Sequence, residues 1–302
     1  MFILRRTDEN VGLVDGAVIR PDQFVGRTVD EIGALPISTG SELIELRRIF
    51  SVQHVSSLSP DSILIEGNCS SVENLGQEMA SGWMCVHGDV GYAAGRGLRG
   101  GSLLVVGNAS DRAGMGMKDG LLFVTGNCGV GLVAPEPGNK AGMRGGDVFV
   151  MGHVGERACE RMRRGTVFVG GSMASFAATQ MIAGTIVVMG SLGDHWGLGM
   201  RRGSLILGQD PAGQPRALLS QARTFELSFL PLIWHHLDLL QATALQELNH
   251  AMVQFGSATQ TSQPVAIPSC MIPKTRWAQR QIADLSYQGR GEVLVLKRIS
   301  SI

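Results

Sequence analysis

Eight short apolar runs, each closed by a glycine, recur through the middle of this 302-residue chain. The clearest copies are Gly101-Ser-Leu-Leu-Val-Val-Gly107, Gly120-Leu-Leu-Phe-Val-Thr-Gly126, Gly146-Asp-Val-Phe-Val-Met-Gly152, Gly165-Thr-Val-Phe-Val-Gly-Gly171 and Gly184-Thr-Ile-Val-Val-Met-Gly190. Looser ones end at Gly67, Gly88 and Gly208. The closing glycines step by 21, 19, 19, 26, 19, 19 and 18 residues. A fixed step near 19 marks units that stack on their neighbours to bury a shared core. Each run is too short for a useful helix and rich in β-branched residues, so each is expected to be a strand. Of 41 glycines, 32 lie between Gly67 and Gly208. Without a period such glycine would signal disorder, but here it punctuates runs that can bury a core.

A second signal precedes the strands. Leu98, Met117, Met143, Met162, Met181 and Met200 each stand three residues before a strand-opening glycine and should stack in one column. Methionine suits an irregular gap between stacked units because its thioether stem is flexible. Asn68, Asp89, Asn108, Asn127, His153, Ser172 and Ser191 follow the closing glycines and should form a ladder at the turns. The pattern predicts a mostly β chain: a parallel β-helix solenoid of about eight coils with a ~19-residue period, joined by turns that need positive φ. At about 4.8 Å per coil its core would run roughly 35 to 40 Å.

Three regions are expected: an N-terminal cap over residues 1–59, the solenoid over 60–210, and a C-terminal helix and tail over 211–302. The cap reads as a strand from Phe2 to Arg5, a turn near Asp15-Gly16, a short helix from Thr28 to Leu35 and an apolar segment from Leu43 to Val52. Residues 222–255 read as a helix with Leu230, Ile233, Trp234, Leu237, Leu240, Ala244, Leu248 and Met252 on one face, suited to cover the open end of the solenoid. An irregular stretch with Pro264, Pro268 and Pro273 follows, then a strand from Glu292 to Lys297, with Arg276 and Trp277 on an exposed tail. The step of 26 residues holds Ala134-Pro-Glu-Pro-Gly138, a loop bulging from one coil, and such insertions often mark contact surfaces.

Lys plus Arg and Asp plus Glu both total 26, which removes the electrostatic case for nucleic acid or an anionic membrane as partner. The apolar runs fall far short of a bilayer span and the first residues carry no secretory pattern, so a cytoplasmic protein is expected. Cys69, Cys85, Cys128, Cys159 and Cys270 stand singly, without histidine at ligand spacing. Reduced structural thiols are expected, and no metal site.

The nearest pairings of acid and histidine are His87 with Asp89, His153 with Glu156, and Asp194 with His195. A carboxylate can orient an imidazole for proton transfer. The first two pairs, however, occupy turns that other coils fill with Asn or Ser, so structural service explains them and no catalytic residue is expected. His235 and His236 are adjacent on the helix and point to different faces, which does not suit one metal. Gly95-Arg-Gly97-Leu-Arg-Gly100 imitates a dinucleotide fingerprint, yet no strand-helix-strand unit surrounds it. Calcium-binding nonapeptides need periodic Asp after glycine, and only Asp89 fits.

Ile19-Arg-Pro-Asp-Gln-Phe24, Thr28-Val-Asp-Glu-Ile32 and the segment ending Arg48-Ile-Phe50-Ser-Val52 lead into repeats of the type Gly-Met-x-x-Gly-x-apolar-x-Val-x-Gly. In this the chain resembles the C subunit of formylmethanofuran dehydrogenase and its bacterial counterpart, the C subunit of the formyltransferase/hydrolase complex. The repeats also look like the C-terminal β-helix domain of glutamate synthase large subunits. The resemblance implies a right-handed parallel β-helix acting as a non-catalytic scaffold in one-carbon metabolism, such as formaldehyde oxidation in methylotrophy.

It implies A, B and D subunits as partners. The formyltransferase D subunit moves a formyl group from formyl-tetrahydromethanopterin to a methanofuran-like carrier, and the amidohydrolase-like A subunit hydrolyses it to formate. The dehydrogenase version adds a molybdenum or tungsten subunit and iron-sulfur proteins. An excess of 22 arginines over 4 lysines favours the bacterial version. The rivals are a free-standing β-helix enzyme, either a hexapeptide acyltransferase or a polysaccharide-active enzyme, and a glutamate-synthase-like accessory chain. Hexapeptide coils hold 18 residues with an aliphatic every sixth, and sugar-active solenoids carry aromatic platforms, whereas aromatics are 5% here. Arg96, Arg99, Arg144, Arg163, Arg164, Arg201 and Arg202 recur near the strand-opening glycines. Stacked, they would form a positive stripe for a partner or for an anionic, polyglutamate carrier tail.

Overall fold

The computed structural model describes residues 1–8, 12–55, 61–213, 215, 219–256, 272–283 and 289–297. Cys270, Pro264, Pro268 and the side chains of Leu248 and Met252 lie outside the described residues. The chain opens with β1 (Phe2–Arg6), β2 (Val14–Asp15), α1 (Pro21–Phe24), α2 (Val29–Gly33), β3 (Pro36–Ser38), β4 (Leu43–Glu45) and β5 (Phe50–His54). Thr28 and Glu31 form a reciprocal capping box that starts α2.

All eight expected runs are strands: β6 (Ser62–Glu66), β8 (Trp83–His87), β9 (Ser102–Val106), β10 (Leu121–Val124), β11 (Asp147–Val150), β12 (Thr166–Val169), β13 (Thr185–Val188) and β14 (Ser204–Leu207). The two-residue β7 (Val72–Glu73) lies between the first pair, and β15 (Arg223–Glu226), α3 (Leu230–Gly256), β16 (Trp277–Ala283) and β17 (Gly291–Leu296) complete the described elements.

The fold is mostly β, built on a large mixed sheet of order β15-β16-β17-β14-β13-β12-β11-β10-β9-β8-β6-β1-β5. Its eight repeat strands are all parallel, residue on residue: Leu103 lies beside Leu122, Leu122 beside Val148, and Val148 beside Val167. A second line of parallel contacts joins Cys69, Val90, Ala109, Cys128, Val154, Met173 and Leu192. A third is made by turn backbones, where Ala93 N–H donates to Asp111 O, Arg157 N–H to Ser175 O and Phe176 N–H to Asp194 O. Each repeat therefore rests on the next along three lines. The seven extra residues of the long step (26 − 19) are looped out and leave the register intact.

The Leu and Met column is fully buried, and Met79 extends it by one repeat. Its side chains explain the strand-opening glycines. A Cβ on Gly165, where φ is +100°, would lie 2.7 Å from the Met143 methyl and 2.4 Å from the Gly146 carbonyl oxygen. Of the eight closing glycines, Gly67, Gly88 and Gly107 have the positive φ expected, whereas Gly126, Gly152, Gly171, Gly190 and Gly208 are not left-handed. They are required by close approach instead: a Cβ on Gly126 would sit 2.5 Å from Gly107 O.

Three features of the flanks depart from the sequence reading. Residues 223–226 form β15, antiparallel to β16, and the helix begins at Leu230. The helix lies along the outer face of the sheet rather than over an open end. Val148 and Val150 point into the core while Phe149 points outward, as strand geometry demands. The outward column of Leu104, Phe123, Phe149, Phe168 and Val187 is apolar and needs cover, which Leu230, Trp234, Leu237 and Ala244 provide. Within it Phe149 stacks on Phe123 at 5.1 Å and on Phe168 at 4.3 Å.

The third departure is the tail. Trp277 is half-buried as the first residue of β16. Strand β17 pairs in parallel with β14, Leu205 beside Val293, so the chain leaves the stack at Leu207 and returns at Gly291 as its next rung. At the other end β1 pairs in parallel with β6, with β5 antiparallel beyond it.

Candidate functional site

The polar column after the closing glycines is a hydrogen-bonded ladder. Asp89 Oδ1 accepts from Asn108 N–H at 2.7 Å, Asn108 Oδ1 from Asn127 N–H at 2.9 Å and Asn127 Oδ1 from His153 N–H at 2.7 Å. His153 Nδ1 accepts from Ser172 N–H at 3.0 Å, and Ser172 Oγ from Ser191 N–H at 3.0 Å. The acceptors Asp89 and His153 thus serve the next repeat's backbone, as Asn and Ser do elsewhere in the column. His195 occupies a left-handed turn position, φ +62°, with its ring 4.9 Å from that of Phe176. His235 is exposed, whereas His236 Nε2 lies 2.9 Å from Asp147 Oδ1 and ties α3 to the sheet. Sequence spacing could not reveal that tie, since it joins residues 89 apart.

The seven arginines are not equivalent. Arg96 Nε donates to Glu136 at 2.8 Å, and Arg99 donates to Glu78 at 2.6 Å. Arg144, Arg163, Arg164, Arg201 and Arg202 are exposed and make no side-chain hydrogen bond or ion pair among the described residues. Register brings them together: Lys118 N–H donates to Leu98 O, Arg144 N–H to Met117 O, Arg163 N–H to Met143 O and Arg201 N–H to Met181 O. Arg99, Lys118, Arg144, Arg163 and Arg201 therefore share one column. Arg164 and Arg202 stand in the next, where Arg290, beside the returning Gly291, extends it.

Cys69, Cys85, Cys128 and Cys159 are buried core thiols, and burial pushes the Cys85 and Cys128 thiols up to about 12. Desolvation under α3 raises the carboxyl of Glu247 above the ordinary carboxylate value, with the Trp83 indole acting in the opposite direction. Among the described residues no group of three or more His, Cys, Asp and Glu converges, and no helix is long and apolar enough to cross a membrane.

Stacked parallel rungs with left-handed glycines two apart in the turns, such as Gly95 with Gly97 and Gly114 with Gly116, define a class of protein. Residues 47–217, more than half of the chain, match the GXGXG motif family, and the chain belongs to that family. It is 35% identical over 81 residues to the C subunit of tungsten-containing formylmethanofuran dehydrogenase 2 from Methanothermobacter wolfeii, covering 26% of this chain and 30% of that protein. It is 34% identical over 82 residues to the C subunit of molybdenum-containing formylmethanofuran dehydrogenase 1 from Methanothermobacter marburgensis, covering 27% and 20%. The chain thus spans less than a third of the length of these curated relatives. It also resembles a chain in the crystal structure of the formyltransferase/hydrolase complex (FhcABCD) from Methylorubrum extorquens in complex with methylofuran. That match has a TM-score of 0.77 and 32% identity, over 98% of this chain and 100% of the other.

Proposed function

We propose that this chain is a scaffold subunit of a formyltransferase/hydrolase complex, with the chemistry carried by its partners. The observation that carries this is the match at 32% identity over 98% of the chain to a chain of that complex, against 26% coverage for the dehydrogenase relatives. On this reading the stacked repeats are a right-handed parallel β-helix over residues 60–210, with 1–59 a cap and 211–302 a partner-facing cover. The complex is cytoplasmic. Its D subunit transfers a formyl group from formyl-tetrahydromethanopterin to a methanofuran-like carrier, its A subunit hydrolyses the product to formate, and B completes it.

The ladder supports a non-catalytic role, because Asp89 and His153 are engaged in holding the stack. The row of Arg144, Arg163, Arg164, Arg201 and Arg202, without an ion pair among the described residues, supports docking of an acidic partner face or an anionic carrier tail. Affinity purification of the native chain tests the reading. It should bring down formyltransferase and amidohydrolase-like subunits, and charge reversal at Arg163 and Arg164 should loosen their hold. Recovery of molybdenum or tungsten and iron-sulfur subunits would point to the dehydrogenase instead. A monomer active in acyl transfer would sink the scaffold reading.

A further inference from the structure

The 26-residue step produces a ledge on one corner of the stack. Its loop folds back over the preceding repeats: Glu136 lies over Gly116, where a Cβ would come within 2.9 Å of its Cγ. The Glu136 carboxylate accepts from Arg96 Nε at 2.8 Å and from Asn139 Nδ2 at 2.9 Å. The inserted segment also reaches the turn that follows it, where Gly142 N–H donates to Arg161 O at 3.0 Å.

In the repeats after the insertion the backbone places long polar side chains at left-handed positions. The last left-handed position of the turns is glycine at Gly97, Gly116 and Gly199, whereas Glu78 at φ +53° occupies it in the first repeat and Arg161 at φ +51° and Gln180 at φ +53° in the two repeats after the insertion. Long side chains there carry strain that glycine escapes. Glu78, so placed, pairs with Arg99 and Lys118, whereas Arg161 and Gln180 pair with each other. What they build is a polar wall: Arg161 Nε donates to Gln180 Oε1 at 2.8 Å, and both side chains line a pocket of about 370 Å³.

Lys140 on the ledge and Arg201 on the next repeat complete the wall, with Ile182 and Leu198 among its apolar lining. Among the described residues three cations and no carboxylate line this pocket. Lys140 and Arg201 have no charged partner among the described residues. Glu160, 3.8 Å from Arg161 Nε, is held by two N–H groups of Arg157 and lines the neighbouring cleft. The volume falls at the small end of the range of ligand pockets.

We propose that this pocket binds a small multivalent oxyanion, a polycarboxylate or a phosphate compound, held by Arg161, Lys140 and Arg201 through charge-assisted hydrogen bonds. The site is independent of whether the chain acts as a scaffold. Calorimetric titration of the purified full-length protein at constant ionic strength tests it, with sodium citrate in one arm and inorganic phosphate in the other. Saturable one-site binding of either anion is expected, and the arm that binds identifies the class.

Arg161→Gly suits the left-handed backbone, should melt no lower than the parent, and should weaken binding roughly tenfold or more. Arg48→Ala, an exposed arginine of the N-terminal region outside the pocket, should bind as the parent does. Should Arg161→Gly melt lower, Arg201→Gln, where φ is not positive, should show the same loss. No saturable binding in either arm overturns the proposal. So does undiminished binding by the Arg161 and Arg201 variants.

Discussion

The two glycine constraints can be separated by three substitutions. Gly197 has φ +68° and open space around its missing Cβ, so Gly197→Ala measures backbone strain alone. A left-handed alanine costs roughly 1–2 kcal/mol, offset by about 0.4–1 kcal/mol from a stiffer unfolded chain, which leaves a loss of about 1 kcal/mol. Gly126 is not left-handed, but its Cβ would sit 2.5 Å from both Gly107 O and Asn108 Oδ1.

Ordinary contact requires the repeats to part by about 1 Å, which strains the bonds Gly126 N–H to Gly107 O (2.8 Å), Thr125 N–H to Val105 O (3.0 Å) and Asn127 N–H to Asn108 Oδ1 (2.9 Å). At about 1 kcal/mol for each bond weakened, with an overpacking cost of similar size, Gly126→Ala should lose about 3–5 kcal/mol. Gly165→Ala combines both faults and should be the least stable of the three. Urea unfolding at unchanged m value measures the series. A Gly126→Ala protein as stable as Gly197→Ala would refute the argument that close stacking of repeats, rather than turn conformation, selects the closing glycines.

Two further outcomes follow from the ladder and the helix contact. His153→Ala removes the acceptor for Ser172 N–H and should cost about 0.5–1.5 kcal/mol, while His153→Asn should restore it as Asn127 does for His153, both with complex turnover unchanged. Equal instability of the two variants, or a large loss of turnover in an intact complex, would refute the ladder role. Glu247 has a folded pKa raised above its ordinary 4.5, so the folded chain binds its proton more tightly than the unfolded chain. Stability should fall as pH rises through that window, and Glu247→Gln should be the more stable at pH 7 but not below the ordinary carboxylate range. Melting curves that keep the same separation across the pH range would contradict it.

Much of the fold was legible because each repeat interacts chiefly with its immediate neighbours. The strand-opening glycine, the Met column and the polar ladder recur at the spacing that stacking imposes, so Met143, Asn127 and Gly165 announce their places without coordinates. The left-handed arginine was hidden, since Arg161 occupies a glycine position and breaks the pattern that would reveal it. The His236 contact with Asp147 was hidden for another reason: it depends on where a separate helix lands.

By itself the sequence determined the period, the eight strands and the residues that pack between them, because these are local and repeated. Only the tertiary structure decided that β17 returns as the rung after β14, that α3 covers the outward phenylalanines instead of an end, and which arginines have no carboxylate partner among the described residues. Those outcomes turn on burying the sheet's outer face and pairing its last strand. Both are met by segments that share no period with the repeats.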